Sequence, residues 1–351
     1  MKVSILEIAK LAGVSRGTVD RVIHKRGKVK QEVEEKILRI IQETGYVPPS
    51  AREPDVVREQ KPKKTWFKIG FLVPYEDHPF FQTMIQGARM AEQECGENSV
   101  MLIVEAANGY DGQNHIQALQ HLAEQNVDGI CAVSVDDSKV VSEFNEVIRK
   151  GTPIITVNSD VHNIKRICYV GCNALESGRI AAGVFGMMFK DSANIIIVTG
   201  SPLMRMHNQR VQGFFEGAID RIKHVHIVDV VECADRDEIA YEKVCASLKR
   251  MPEVDGIYIA AEGISGVCMA VKDSGLEDQI RIVCHDSSPR TVQLLREGLI
   301  DATVCQEGFL QGMRAVQLMM EHLSSQASLP RDGYFTHCYL KIRENFEGSA
   351  I

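Results

Sequence analysis

Apolar residues over the first 45 positions recur at helical spacing. Ile5, Ile8, Ala9 and Leu11 predict a short helix over residues 4–11, with Ser4 and Glu7 in the spacing of a capping box. Gly13 supplies a tight turn, and Ser15 is placed to cap a second helix whose Val19, Val22 and Ile23 share one face. Arg16, Gly17, Asp20, Arg21 and His24 are left off that face. Beyond a basic loop around Gly27, a third helix is expected from Gln31 to Thr44, with Val33, Ile37, Ile40 and Ile41 inward and Gly45 as its terminator. Three short helices are enough for a small core of their own.

Residues 48–64 break the pattern with four prolines, many charges and little apolar periodicity, which marks a linker. From Trp66 onward, strand-sized apolar runs alternate with helical stretches. The strands are expected at 67–73, 100–105, 129–133, 153–157, 194–199, 225–231, 256–260 and 280–284. Such alternation predicts parallel sheets covered by helices on both faces. So many strands over so long a segment favour two similar lobes over one sheet. The expected organisation is an all-α head at 1–47, a linker at 48–65 and an α/β body of two doubly wound parallel-sheet lobes at 66–345.

The chain has 351 residues, 44% hydrophobic and 25% charged, which is ordinary for a folded globular protein and excludes a collagen-like or disordered chain. The longest apolar runs, such as Ile195–Val198, are strand-sized, so no membrane span is expected. Glu7 and Lys10 interrupt any secretory leader, and the cytoplasm is the expected compartment. The ten cysteines lie between Cys95 and Cys338 with no Cys-x-x-Cys pair, which predicts free, mostly buried thiols. The net charge of −7 is unevenly spread. Residues 1–65 hold 15 Lys/Arg against 9 Asp/Glu, and the remainder holds 25 against 38. A basic head on an acidic body points to a polyanion as partner of the head.

Two helices joined by Ala12-Gly13-Val14 are what a helix-turn-helix requires: one braces while the other puts its N-terminal side chains into the major groove. Ile8, Ala9, Ala12, Gly13, Val14, Ser15, Thr18, Val19, Arg21 and Val22, followed by Gly45, Tyr46 and Pro48, resemble the head of the lactose/galactose repressor family. The resemblance implies a sequence-specific regulator of transcription, a repressor, bound to a roughly palindromic double-stranded operator. By it, Arg16 and Gly17 take the first two reading positions and Arg21 a third. The two guanidiniums can pair with guanine, whereas Gly17 offers no side chain. Ser15 and Thr18 are expected at phosphate, and His24, like Arg16, is placed at the DNA to neutralise the acidic Asp20. Asp20 departs from the family's serine. Pro54 and Asp55 stand where the family inserts a leucine into the minor groove, so that insertion is not expected here.

From about Phe67 to Tyr339 the chain resembles the type I periplasmic sugar-binding proteins of the ribose group, which form the sensor body of the same repressor family. The resemblance implies two lobes closing on a small sugar-like effector, and a homodimer through the body. His78-Pro79-Phe80-Phe81 matches an Asn-Pro-Phe-Phe segment, placing one of Phe80 and Phe81, Phe81 ahead of Phe80, to stack on a sugar ring, with core packing as the alternative for each. The strand leading to Asn158-Ser159-Asp160 ends where the sugar binders have Asp-Arg, so Asn158 or Asp160 should meet hydroxyls. The segment around Arg210 and Gly213-Phe214 makes Arg210 a forked donor at the cleft mouth. Asp286 ends a strand like the family's Gly-Phe-Asp, and Gln306 follows a crossover like Ala-Thr-Ile-x-Gln. A carboxylate at the C-terminal end of a parallel strand faces the crevice where open α/β sheets bind ligands. Glu262, near two alanines where the sugar binders are polar, is a weak candidate.

No G-x-G-x-x-G, P-loop or nucleophile-elbow motif occurs, and His224 and His226 lack companions at metal-ligand spacing. No catalytic residue, metal or cofactor is expected. The body taken alone fits a solute-binding protein of a transport system, which is the alternative reading.

Overall fold

The computed structural model describes residues 4–23, 29–44, 66–96, 99–220, 222, 224–325, 328–330 and 332–346. They fall into two compact units, within Met1–Lys63 and Lys64–Ile351. His24, the linker and the segment around Pro54 and Asp55 lie outside the described residues.

In the first unit, α1 (Ile5–Ala12), α2 (Arg16–Ile23) and α3 (Gln31–Thr44) close on a core of Ile8, Ala9, Ala12, Val19, Val22 and Ile37. Ser4 and Glu7 form the expected capping box, and Gly13 ends α1 at φ 72°. Leu11 departs from expectation, being 60% exposed, while Ala12 is buried in its place. A period of 3.6 carries the face through 5, 8, 9 and 12, and position 11 falls off it.

The second unit holds two lobes of the same design. Lobe 1 is built on β1 (Phe67–Val73), β2 (Val100–Ala106), β3 (Gly129–Ala132), β4 (Ile154–Val157) and β5 (Cys168–Cys172), with α4 (Pro79–Glu94), α5 (Gly112–Glu124) and α6 (Ser138–Arg149). Lobe 2 has α7 (Ala174–Met188), β6 (Ala193–Thr199), α8 (Arg205–Asp220), β7 (Val225–Glu232), α9 (Asp237–Arg250) and β8 (Gly256–Ile259). It continues with α10 (Ile264–Asp273), β9 (Arg281–His285), α11 (Pro289–Glu297) and β10 (Ala302–Cys305). Then α12 (Gly308–Ser325) returns to lobe 1, β11 (Tyr334–Thr336) joins the first sheet and β12 (Tyr339–Lys341) the second.

The sheets run β11-β5-β4-β3-β1-β2 and β12-β10-β9-β8-β6-β7, all parallel except β12 on β10. The chain crosses between lobes three times: after β5, after β10 and between β11 and β12. All eight expected strands form. β5, β10, β11 and β12 are additional.

Each lobe accepts one helix from the far side of a crossing by close packing of backbones. On α4 and α12, a Cβ added at Gly87 would lie 1.9 Å from the Phe309 carbonyl oxygen, and one at Gly312 equally close to that of Met84. The same reciprocity joins α7 to α8, with Gly178 against the Arg210 carbonyl and Gly213 against that of Leu175, both at 2.0 Å. The ten cysteines are unpaired, and among the described residues no helix is long and apolar enough to cross a membrane.

Candidate functional site

In the helical head, Ser15 caps α2: its Oγ accepts from the Thr18 amide at 3.2 Å and lies 2.9 Å from Thr18 Oγ1. Both hydroxyls therefore sit at the first turn of the second helix, where the helix dipole favours an anion. Arg16, Gly17 and Arg21 are exposed. Arg21 Nε donates to the Gly17 carbonyl at 3.1 Å, so the side chain lies back along its own helix. The absent Gly17 side chain leaves that carbonyl open to it.

The body's site lies between the lobes, at the C-terminal ends of the parallel strands. Its inner cavity holds about 30 Å³ and adjoins a recess of about 210 Å³, the two sharing Phe80, Glu262, Asp286 and Gln306. Asn158 follows β4 and Asp286 follows β9, each with φ 63°. Asn and Asp tolerate that left-handed conformation better than other side chains with a Cβ. Asn158 Nδ2 donates to Gln306 Oε1 at 3.0 Å, and Gln306 Nε2 donates to Asp286 Oδ2 at 2.8 Å. Gln306, from the second crossing, thus ties a lobe 1 residue to a lobe 2 residue. Gln311 holds it from behind, donating to its backbone carbonyl at 2.7 Å.

Arg210 enters from α8 and is 2% exposed. One guanidinium nitrogen donates to the Ala260 carbonyl at 2.9 Å, and another stands 3.7 Å from Asp286, beyond hydrogen-bond reach. Its Nε and Nη2 have no hydrogen-bond partner, and neither do Asn158 Oδ1 and His207 Nδ1. Buried polar groups are rarely left so. Here donors and acceptors without partners line one small cavity, the arrangement a hydroxyl-bearing ligand completes, since each hydroxyl both donates and accepts.

Electrostatics sharpen the picture. Burial raises the Asp286 carboxyl, against the opposing pull of Arg210. Glu262 is pushed up to about 8 by burial and by repulsion from Asp235 and Asp286. His78 and His207 are held below the ordinary histidine range by burial. His78 caps α4, its Nδ1 accepting from the Phe80 amide at 3.2 Å, which leaves Nε2 to face Glu262 at 3.5 Å. Phe81, packed into the lobe 1 core with His78 on its ring at 4.8 Å, shows only an edge to the cavity, whereas Phe80, the second choice of the two, lines both the cavity and the recess.

Phe80, Phe81, Asn158, Arg210, Asp286 and Gln306 therefore converge on one cavity. Asp160 is not among them. It takes a bidentate pair from Arg166 at 2.8 and 2.9 Å and a bond from Thr156 Oγ1 at 2.6 Å, facing a separate surface recess. Its acceptor sites are occupied by Arg166, Thr156 and the Val161 amide, and Arg205 at the start of α8 pairs with it at 3.8 Å. The sequence reading passed over Tyr110 and Asp235, whose hydrogen bond joins lobe 1 to lobe 2. They follow β2 and β7, and extending the strand-end rule to the second strand of each lobe would have found both.

Comparison with known proteins agrees with this fold. The description "Periplasmic binding protein domain" matches residues 69–327, and "Bacterial regulatory proteins, lacI family" matches residues 4–49. The ribose operon repressor of Haemophilus influenzae is 25% identical over 94% of this chain and 93% of its own length. The HTH-type transcriptional regulator CelR of Thermobifida fusca is 25% identical over 92% of each. Among solved structures, GanP, a glucose-galactose binding protein from Geobacillus stearothermophilus, superposes with a TM-score of 0.73 at 27% identity, covering 80% of this chain and 98% of that one. With a helix-turn-helix head and a bilobed binding body in one polypeptide, the chain belongs to the lacI family of bacterial DNA-binding transcription regulators, carrying a periplasmic binding protein domain as its sensor.

Proposed function

We propose that this protein is a transcriptional repressor whose operator affinity is set by a small neutral sugar bound between the lobes. The carrying observation is the set of buried, unpartnered groups on Arg210, Asn158 and His207 around the cavity that Phe80, Asp286 and Gln306 complete. Phe80, Phe81, Asn158, Arg210, Asp286 and Gln306 hold the effector, and Asp160 acts as an ion-pair residue of Arg166 and Arg205 instead. Ser15 and Thr18 meet phosphate, Arg16 and Arg21 read bases, and His24 contributes to DNA binding. The working unit is a cytoplasmic homodimer joined through the body, with two heads on a roughly palindromic operator. Lobe closure sets operator affinity, and coupling of about 1–3 kcal/mol corresponds to about a 5–150-fold change.

Ribose is the first effector to test, given the relative named for a ribose operon, followed by glucose and galactose. The decisive experiment titrates the operator with the purified full chain, with and without each sugar. A shift in the operator midpoint with one sugar supports the reading, and an unmoved midpoint across neutral sugars refutes it. A transport solute-binding role is the second reading, favoured by the body's resemblance alone. The DNA-binding head weighs against it.

A further inference from the structure

The surface recess that Asp160 faces is larger than the effector cavity and lies where the two lobes meet. It holds about 860 Å³, within the ~300–1,000 Å³ of small-molecule sites. Lys165 and Arg166 reach it from the loop between β4 and β5 of lobe 1, and Arg205 from the first residue of α8 in lobe 2. The same stretch of lobe 2 is seated on lobe 1. The Asp136 amide donates to the Leu203 carbonyl at 2.8 Å, the Met206 amide donates to Ser159 Oγ at 3.4 Å, and Met204 belongs to the lobe 1 core.

Three permanent cations in this recess face one carboxylate. Asp160 is matched by Arg166, from which it takes two hydrogen bonds. Arg205 Nη1 stops 3.8 Å from Asp160 Oδ2, beyond hydrogen-bond reach. Among the described residues neither Arg205 nor Lys165 has a side-chain hydrogen bond, so two positive charges are left over. The chain beyond residue 65 holds 25 Lys/Arg against 38 Asp/Glu, so this surplus is local and runs against the charge of the body. A phosphate monoester carries about −1.5 to −2 at neutral pH, which matches that surplus, and its oxygens suit a guanidinium fork beside an ammonium. A bare phosphate ion would use a small part of the volume, whereas an organic ester sets its carbon against Ile164, Ile167 and Leu329.

We propose that this recess is a second, anion-binding site that takes a small phosphorylated metabolite and holds the lobes closed by bridging Arg205 of lobe 2 to Lys165 of lobe 1. The site stands apart from the sugar-binding reading, and only its effect on the effector rests on that reading. Opening the lobes carries Arg205 away from Lys165 and divides the site. The anion therefore prefers the closed arrangement, and by linkage each ligand tightens the other.

The test titrates the full chain in phosphate-free buffer with glycerol 3-phosphate by calorimetry, with inorganic phosphate and glycerol as parallel arms. Glycerol 3-phosphate is expected to bind at one site per chain and more tightly than phosphate, with no binding of glycerol. Arg205→Ala and Lys165→Ala should each weaken it about tenfold. Lys165 is exposed in a loop, so its truncation leaves the fold intact. Asp286→Ala in the sugar cleft and Arg21→Ala in the head should leave it unchanged. Equal affinity for phosphate and ester overturns the metabolite in favour of the free ion. No binding at millimolar ester overturns the site, as does binding lost in Asp286→Ala or Arg21→Ala but kept in both recess variants. Amide hydrogen exchange around Tyr110 and Asp235 should slow with glycerol 3-phosphate in the wild type and not in Lys165→Ala, a reading that needs no sugar. Unchanged exchange overturns the bridge. Where ribose, glucose or galactose binds, saturating glycerol 3-phosphate should raise its affinity about fivefold, and unchanged affinity overturns the coupling. Failure of all three sugars to bind, with the ester bound and exchange slowed, counts against the sugar reading and leaves the recess standing.

Discussion

Asn158 and Asp286 occupy one and the same position in the two lobes. Each follows the fourth strand of its sheet at φ 63°, and each amide donates to the neighbouring fifth strand, Asn158 to Val170 at 2.8 Å and Asp286 to Val304 at 3.0 Å. One strand-end geometry, used twice, aims an amide and a carboxylate at the same cavity. Gln306 between them converts the repeat into a single network.

That network and the head should fail separately. Asp286→Ala leaves Gln306 Nε2 without its acceptor and Arg210 without its facing carboxylate, so effector affinity should fall by about 1–3 kcal/mol, about 5–150-fold, while operator binding survives. Arg21→Ala should remove about 1–3 kcal/mol of base discrimination and leave effector binding intact. Calorimetric titration of effector, alongside anisotropy of labelled operator, reads both variants. Equal loss of both activities in either one would refute the separation.

Tyr110→Phe deletes the phenol that bridges to Asp235 and nothing else of the cleft's shape. The closed arrangement should lose about 1 kcal/mol, read as effector affinity weakened about fivefold. Affinity equal to wild type would show that this bond does not contribute to closure.

Glu262 gives stability a pH dependence of known sign. Its carboxyl moves from the usual 4.5 to about 8 on folding, so between those values the folded chain binds more protons than the unfolded chain. Stability therefore falls as pH rises through that window, by up to about 1.4 kcal/mol per pH unit. His115 acts oppositely, held down to about 4 from 6.5 by burial, and its contribution is lost as pH falls from 6.5 toward 4. The melting temperature should drop from pH 6.5 to 8, and Glu262→Gln should flatten that limb. An unchanged slope in the variant would remove Glu262 as the cause.

The interlocked glycines make a structural test. Gly312→Ala sets a methyl against the Met84 carbonyl and should cost about 1–3 kcal/mol through displacement of α12. Gly183→Ala, in α7 with nothing within 4 Å of the new Cβ, should be neutral or stabilising by up to about 1 kcal/mol. Urea midpoints compare the two, and equal effects would contradict the packing described.

The sequence made the helix faces legible because burial enforces the 3.6 period. It misplaced only Leu11, whose hydrophobicity outweighed its angular position. Strand ends were legible for the same reason, since an apolar run that stops at Asn158 or Asp286 marks where the sheet meets the cleft. Asp160 could not be separated from Asn158 in this way: two residues further on, the chain has turned, and Arg166 takes its carboxylate. Tyr110 and Asp235 are 125 residues apart, and their bond exists only once two lobes are brought together. No local spacing carries that.

The route of the chain through the crossings also sets an order of assembly. From α7 to β10 lobe 2 is one continuous stretch, lacking only the C-terminal segment that carries β12 and the core residue Phe346. Lobe 1 begins earlier, yet its core includes Ala315, Val316, Leu318 and Met319 of α12. During N-to-C synthesis, therefore, the lobe whose strands emerge first is the last to be covered, and Gly87 waits on α4 for a partner helix more than two hundred residues away. Nascent chains stalled before Gly308 would carry a second lobe short of only its edge strand and Phe346, and a first lobe with one face of its sheet still open to solvent.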